Sequence, residues 1–132
     1  MSHHRYLLLL AVLFALVWGA LAVAPWHRAD WALENALVAV FLVAVALSYG
    51  KLTLSRVSYT LIFIFLCLHE VGAHYTYAEV PYDEWWKSLT GQAFNSLVGW
   101  ERNNFDRVIH FSYGLLLAYP VREVFWRVAS AR

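Results

Sequence analysis

Four apolar runs, separated by short polar breaks, set the pattern of this chain. Tyr6 to Ala24 is 19 residues long and carries no charge. Ala32 to Tyr49 has Glu34 and Asn35 in its first turns, and Gly50 follows as a helix-ending glycine. Val57 to about Tyr77 is apolar up to Leu68 and polar beyond it. Phe105 to about Phe125 follows Asn103 and Asn104, which suit a helix cap, and Pro120 kinks or ends its membrane part. A helix that crosses a bilayer needs roughly 20 apolar residues. The pattern therefore predicts an all-α, polytopic membrane helix bundle. A single integral-membrane domain over 1–132 would have four transmembrane helices at about 6–24, 32–49, 57–77 and 105–125.

Arg5 and the Ala22-Val23-Ala24 triplet give the first run some likeness to a cleaved leader. Pro25 directly after the would-be cut opposes cleavage. The run also exceeds the roughly 7–15 apolar residues of a leader core. A retained helix is expected. Residues 78–104 form the longest connection. Pro81, Asp83 and Glu84 read as a helix start, and tryptophans alternate with polar residues beyond it. That mixture predicts an interfacial segment between the third and fourth spans.

Composition agrees with a membrane protein. Hydrophobic residues make up 61% and charged residues 14%, against roughly 25% charged in a soluble domain. Mean hydropathy is +0.52. The expected partner is the lipid bilayer, and a net charge of +1 gives no case for nucleic acid. The single cysteine, Cys67, excludes an intrachain disulfide and a zinc-finger framework. Lysine and arginine counts favour cytoplasmic termini. Arg5, Lys51, Arg56, Arg122, Arg127 and Arg132 would lie inside, against Arg28, Lys87, Arg102 and Arg107 outside. Four helices enclose a limited interior, which leaves a homo-oligomer open.

Two residue pairs carry the candidate chemistry. Glu70 and His74 lie four apart, as do Asp106 and His110. That spacing puts each pair on one helix face. An ionisable side chain inside a membrane marks a functional site by default. His69 and His74 are five apart, so the zincin spacing is absent. His69, Glu70, His74, Asp106 and His110 form a candidate ligand set for a divalent metal such as zinc. Glu70 and His110 are the candidate catalytic groups. Plainer roles stand beside these. Histidines at a segment end snorkel to the interface. Asp106 and Glu34 answer unpaired amides in a first helical turn, although Glu34 could instead join the site, since the second span begins on the same side. Arg102 and Arg107 pair with Glu101 and Asp106 on the surface. Two function classes follow: a membrane-embedded metal-dependent enzyme acting on an unknown small-molecule or lipid substrate, and a non-enzymatic carrier or assembly component with a hydrogen-bonded proton-handling site.

The stretches His69 to Asp83, HEVGAHYTYAEVPYD, and Asn103 to Glu123, NNFDRVIHFSYGLLLAYPVRE, resemble the YjdF-like bacterial inner-membrane proteins. Trp31-Ala-Leu-Glu34-Asn35 fits the same pattern. The resemblance covers roughly residues 25 to 125. It implies a multi-pass protein of the bacterial inner membrane, without an established activity. By position it carries over His69, Glu70, His74, Tyr75, Tyr77, Tyr82, Asp106, Arg107, His110 and Glu123 as signature residues. It also implies that family members continue past this chain's last residue with further membrane segments.

Overall fold

The computed structural model describes residues 1–130. Arg132, counted above toward orientation, lies outside the described residues. The described residues form six helices and no strand: α1 His3–Leu21, α2 Arg28–Ser48, α3 Arg56–Tyr75, α4 Tyr82–Thr90, α5 Phe94–Val98 and α6 Phe105–Ser130. Three of them, α1, α2 and α3, are long and apolar enough to cross a membrane. α6 has 26 residues, which is length enough, but it does not join those three on composition. Its two ends are polar, with Asp106 and Arg107 at one and Arg122, Glu123 and Arg127 at the other.

Side chains at the chain reversals set the helix ends. Ser2 caps α1 by accepting from the Arg5 amide. Ser55 caps α3 by accepting from the Ser58 amide. Asn103 Oδ1 accepts from the Phe105 amide at the start of α6, at 3.0 Å. Arg28 donates to the Ala22 carbonyl at 2.9 Å, which closes the turn between α1 and α2 and satisfies an orphan carbonyl of α1. α4 stops at Gly91, whose φ of +83 is open to glycine without strain.

α3 is the axis of the molecule. α1, α2 and α6 each pack mainly on α3. α1 buries only Phe14 and α2 only Asn35 and Val38, whereas α3 buries nine residues. The polar ties fix direction. Tyr6 bonds Thr60 at one end of α3, and His74 reaches the Leu21 carbonyl at the other, so α1 runs parallel to α3. Glu34, near the start of α2, meets His69 near the end of α3, so α2 is antiparallel. Glu123, late in α6, meets Ser55 at the start of α3, so α6 is antiparallel too.

Between helices in a bilayer the hydrophobic effect adds little, because lipid is as apolar as leucine. Close packing and hydrogen bonds decide instead. The α3–α6 seam has both. Ser58 and Ser112 are buried small residues, and Ile109 is buried among larger ones. Glu123 accepts from the Ser55 amide at 2.8 Å and the Ser55 hydroxyl at 2.7 Å, and also from the Ser58 hydroxyl. Arg127 closes the group from the other side, its Nε 2.8 Å from Glu123.

Candidate functional site

At the opposite end of α3 a second polar group forms. It draws on α2, α3 and the turn after α3. Thr76 adopts a positive φ of 67, rare for a β-branched residue, and reverses the chain there. The reversal folds Tyr77 back over the last turns of α3. Its ring occupies the space that a Cβ on residue 72 would need, so only a glycine fits under it. The Tyr77 hydroxyl then lies 2.8 Å from His69 Nδ1 and 3.4 Å from Glu34 Oε2. His69 Nε2 lies 3.7 Å from the same Glu34 oxygen. Tyr77, His69 and Glu34 thus make a triangle of phenol, imidazole and carboxylate. The Tyr77 hydroxyl donates toward Glu34.

Glu70 is the unusual member. It is 0% exposed, and no donor reaches either carboxyl oxygen in good hydrogen-bond geometry, although the Asn35 side chain lies near enough to engage it. Asn35 and Glu34 on α2 are its polar neighbours. Asn35 accepts from Trp18 of α1 and donates to the Trp31 carbonyl at 2.9 Å. That leaves Asn35 one N–H unspent beside Glu70. His69 Nε2 and Trp31 Nε1 are also buried without a partner. A buried polar group without a partner is costly, and an isolated buried charge far more so. The Glu34 side chain, by contrast, keeps 32% exposure, so the triangle has one member open to the surroundings.

The five metal candidates do not come together. His69 and Glu70 sit in this buried group. His74 is a latch: its Nδ1 lies 2.7 Å from the Leu21 carbonyl, and its own carbonyl accepts from the Trp26 amide at 2.9 Å. Asp106 is a first-turn acid of α6, paired with Arg102 at 3.2 Å. His110 is exposed, with Nδ1 2.5 Å from the Asp106 carbonyl of its own helix. Among the described residues, no group of three or more His, Cys, Asp or Glu side chains is placed to hold a metal ion. The buried group holds Glu34, Asn35 and Tyr77 beside His69 and Glu70, and His74, Asp106 and His110 lie outside it. Glu34 and Asn35 were visible in the sequence as polar residues at the start of an apolar run. Trp18 gave no signal, since a tryptophan in an apolar helix is ordinary.

Helix α4 meets this end of α3 through one aromatic contact, and α5 packs on α4. Trp85 packs edge-on against Tyr75, with ring centroids 5.4 Å apart. Tyr82 donates to Asn95 at 2.7 Å and accepts from the Asn104 amide at 3.1 Å, which ties the segment to the start of α6.

Residues 6–132 match the family described as predicted membrane protein, DUF2238. The chain belongs to this family. It is also 29% identical over 105 residues to the inner membrane protein YjdF of Escherichia coli (strain K12). The match takes in 80% of this chain and 46% of that relative, so the chain spans about half the relative's length. No solved structure matches the chain.

Proposed function

We propose that this chain is a proton-handling protein of the bacterial inner membrane, with Glu70 as its proton-carrying group. The observation that carries the reading is the complete burial of Glu70 beside Asn35 and with no cation paired to it, inside a helix apolar enough to cross a bilayer. Intramembrane carboxylates and histidines that face a bundle interior commonly serve proton relays. Glu70 in this reading alternates between a neutral acid and a carboxylate. Asn35, with its unspent N–H, receives the charged form. Glu34, the exposed member, exchanges protons with the outside of the bundle. His69 and Tyr77 pass them inward, an imidazole and a phenol being able to donate and accept in turn. The location rests on the YjdF relative. In the same reading α6 crosses the membrane as a fourth span beside α3, and both termini face the cytoplasm.

The test uses purified protein in proteoliposomes that enclose a pH-sensitive dye. An imposed membrane potential should drive proton entry through the wild type and not through Glu70→Gln. Infrared difference spectra should also contain a carboxylic acid carbonyl band, sensitive to deuterium, that is lost in Glu70→Gln. Equal proton entry in the two proteins would sink the reading.

A further inference from the structure

α1 and α2 both lean mainly on α3, and away from the Trp18–Asn35 bond that joins them near the other end a groove stays open between them. It holds about 380 Å³. Its floor is Phe14, Ile62 and Leu66, its walls include Ala11 and Ala46, and His4 and Tyr49 stand at its mouth. From His4 to Phe14 it follows α1 for about 15 Å, at 1.5 Å per residue. That length is about half of a hydrocarbon core roughly 30 Å thick, and so the depth of one leaflet.

The mouth opens at the basic end of the molecule. Arg5, Lys51, Arg56, Arg122 and Arg127 lie at this end. Among the described residues the one acidic side chain there is Glu123, and Ser55, Ser58 and Arg127 already engage it. All the other acidic residues of the chain lie toward the opposite end. Lys51 is exposed two residues past Tyr49. We infer that this groove seats one acyl chain of an anionic phospholipid, with the phosphate held at the His4 and Lys51 end. Depth, apolar lining and the sign of charge at the mouth all fit that occupant. A second copy of the chain would bring the same positive charge to the same place, and like charges there repel.

The experiment is native mass spectrometry of the purified chain in detergent, with added phosphatidylglycerol or phosphatidylcholine. The wild type should retain phosphatidylglycerol in preference to phosphatidylcholine. Lys51→Gln should lower that preference about fivefold, the share of one basic side chain near a lipid surface. Ala46→Trp fills the groove and should abolish retention of both lipids. Ala46 and Ala11 are exposed into the groove, so enlarging either displaces lipid rather than packed protein. Ala11→Phe repeats the test independently, and melting curves confirm that the variants are folded. Equal retention of the two lipids by the wild type would overturn the inference. So would undiminished retention in folded Ala46→Trp and Ala11→Phe. A dimer that either variant disperses, with no lipid adduct in the wild type, would overturn it in favour of a second copy.

Discussion

The ring of Tyr77 lies directly over the bare Cα of Gly72, and Phe105 crowds the same spot from α6. Glycine here does not serve backbone freedom, since residue 72 is helical. It makes room for a side chain that returns from beyond the helix end. Gly72→Ala should push the ring away and separate the Tyr77 hydroxyl from His69. The expected loss is about 1–3 kcal/mol, as for overpacking a tight core position. Tyr77→Phe keeps the ring and deletes the hydroxyl, and should cost about 1 kcal/mol. Detergent melting curves rank the two. A Gly72→Ala protein as stable as the wild type would mean that the ring is not seated there.

Glu70 should respond in the opposite sense. Glu70→Leu removes a buried carboxyl that no cation pairs with, at the cost of one Asn35 N–H left without an acceptor. Replacing buried ionic groups with apolar residues of similar size is often neutral or stabilising, by about 1–4 kcal/mol. The expected result is a melting temperature equal to or above that of the wild type, together with lost proton entry. A strongly destabilised Glu70→Leu would assign Glu70 a structural role.

At the other end, Glu123 is wholly structural. Glu123→Ala orphans the Ser55 amide and the Ser58 hydroxyl and unties α6 from α3. The loss should be about 1–3 kcal/mol for each buried group left unpaired. Arg127, half exposed on the same carboxylate, should matter far less: Arg127→Ala is expected to cost less than about 1 kcal/mol, as exposed pairs do. Equal losses for the two variants would contradict this division.

His74 and His110 separate in the same way. His74→Ala cuts the latch from α3 to the Leu21 carbonyl and should cost about 1 kcal/mol. His110→Leu changes an exposed side chain and should stay within about 0.5 kcal/mol. The melting curves of the two proteins decide it. A larger loss for His110→Leu would mean that its ring is engaged from inside the bundle.

The helical, membrane-embedded character was legible because apolar runs of bilayer length leave few alternatives. The site was legible only in part. Spacing put Glu70 and His74 on one face, but α3 is surrounded, so each of its faces meets a different helix. One turn apart, Glu70 faces the polar residues of α2 while His74 reaches the end of α1. His69, which points away from Glu70, meets Glu34. Nothing in the spacing of α3 alone tells which neighbour lies where. Tyr77 was harder still. Its place in the site depends on a backbone reversal at Thr76, where no glycine or proline marks a turn. Asp106 was readable as a first-turn acid, and its pairing with Arg102 follows the ordinary use of such residues.

The central position of α3 also bears on biogenesis. The ribosome delivers α1 and α2 first, yet most of what these two helices bury is buried against α3. Until α3 emerges, Asn35 has no Glu70 beside it, Glu34 has no His69, and Tyr6 has no Thr60. The first two helices must therefore wait in the insertion machinery, or in lipid, with Glu34 and Tyr6 unmatched and only the Trp18–Asn35 bond between them. Assembly becomes a single late event that α3 triggers, and α6 then locks it through Glu123. An insertion defect in α3 would strand both earlier helices, and quality-control proteases would meet them as unassembled segments.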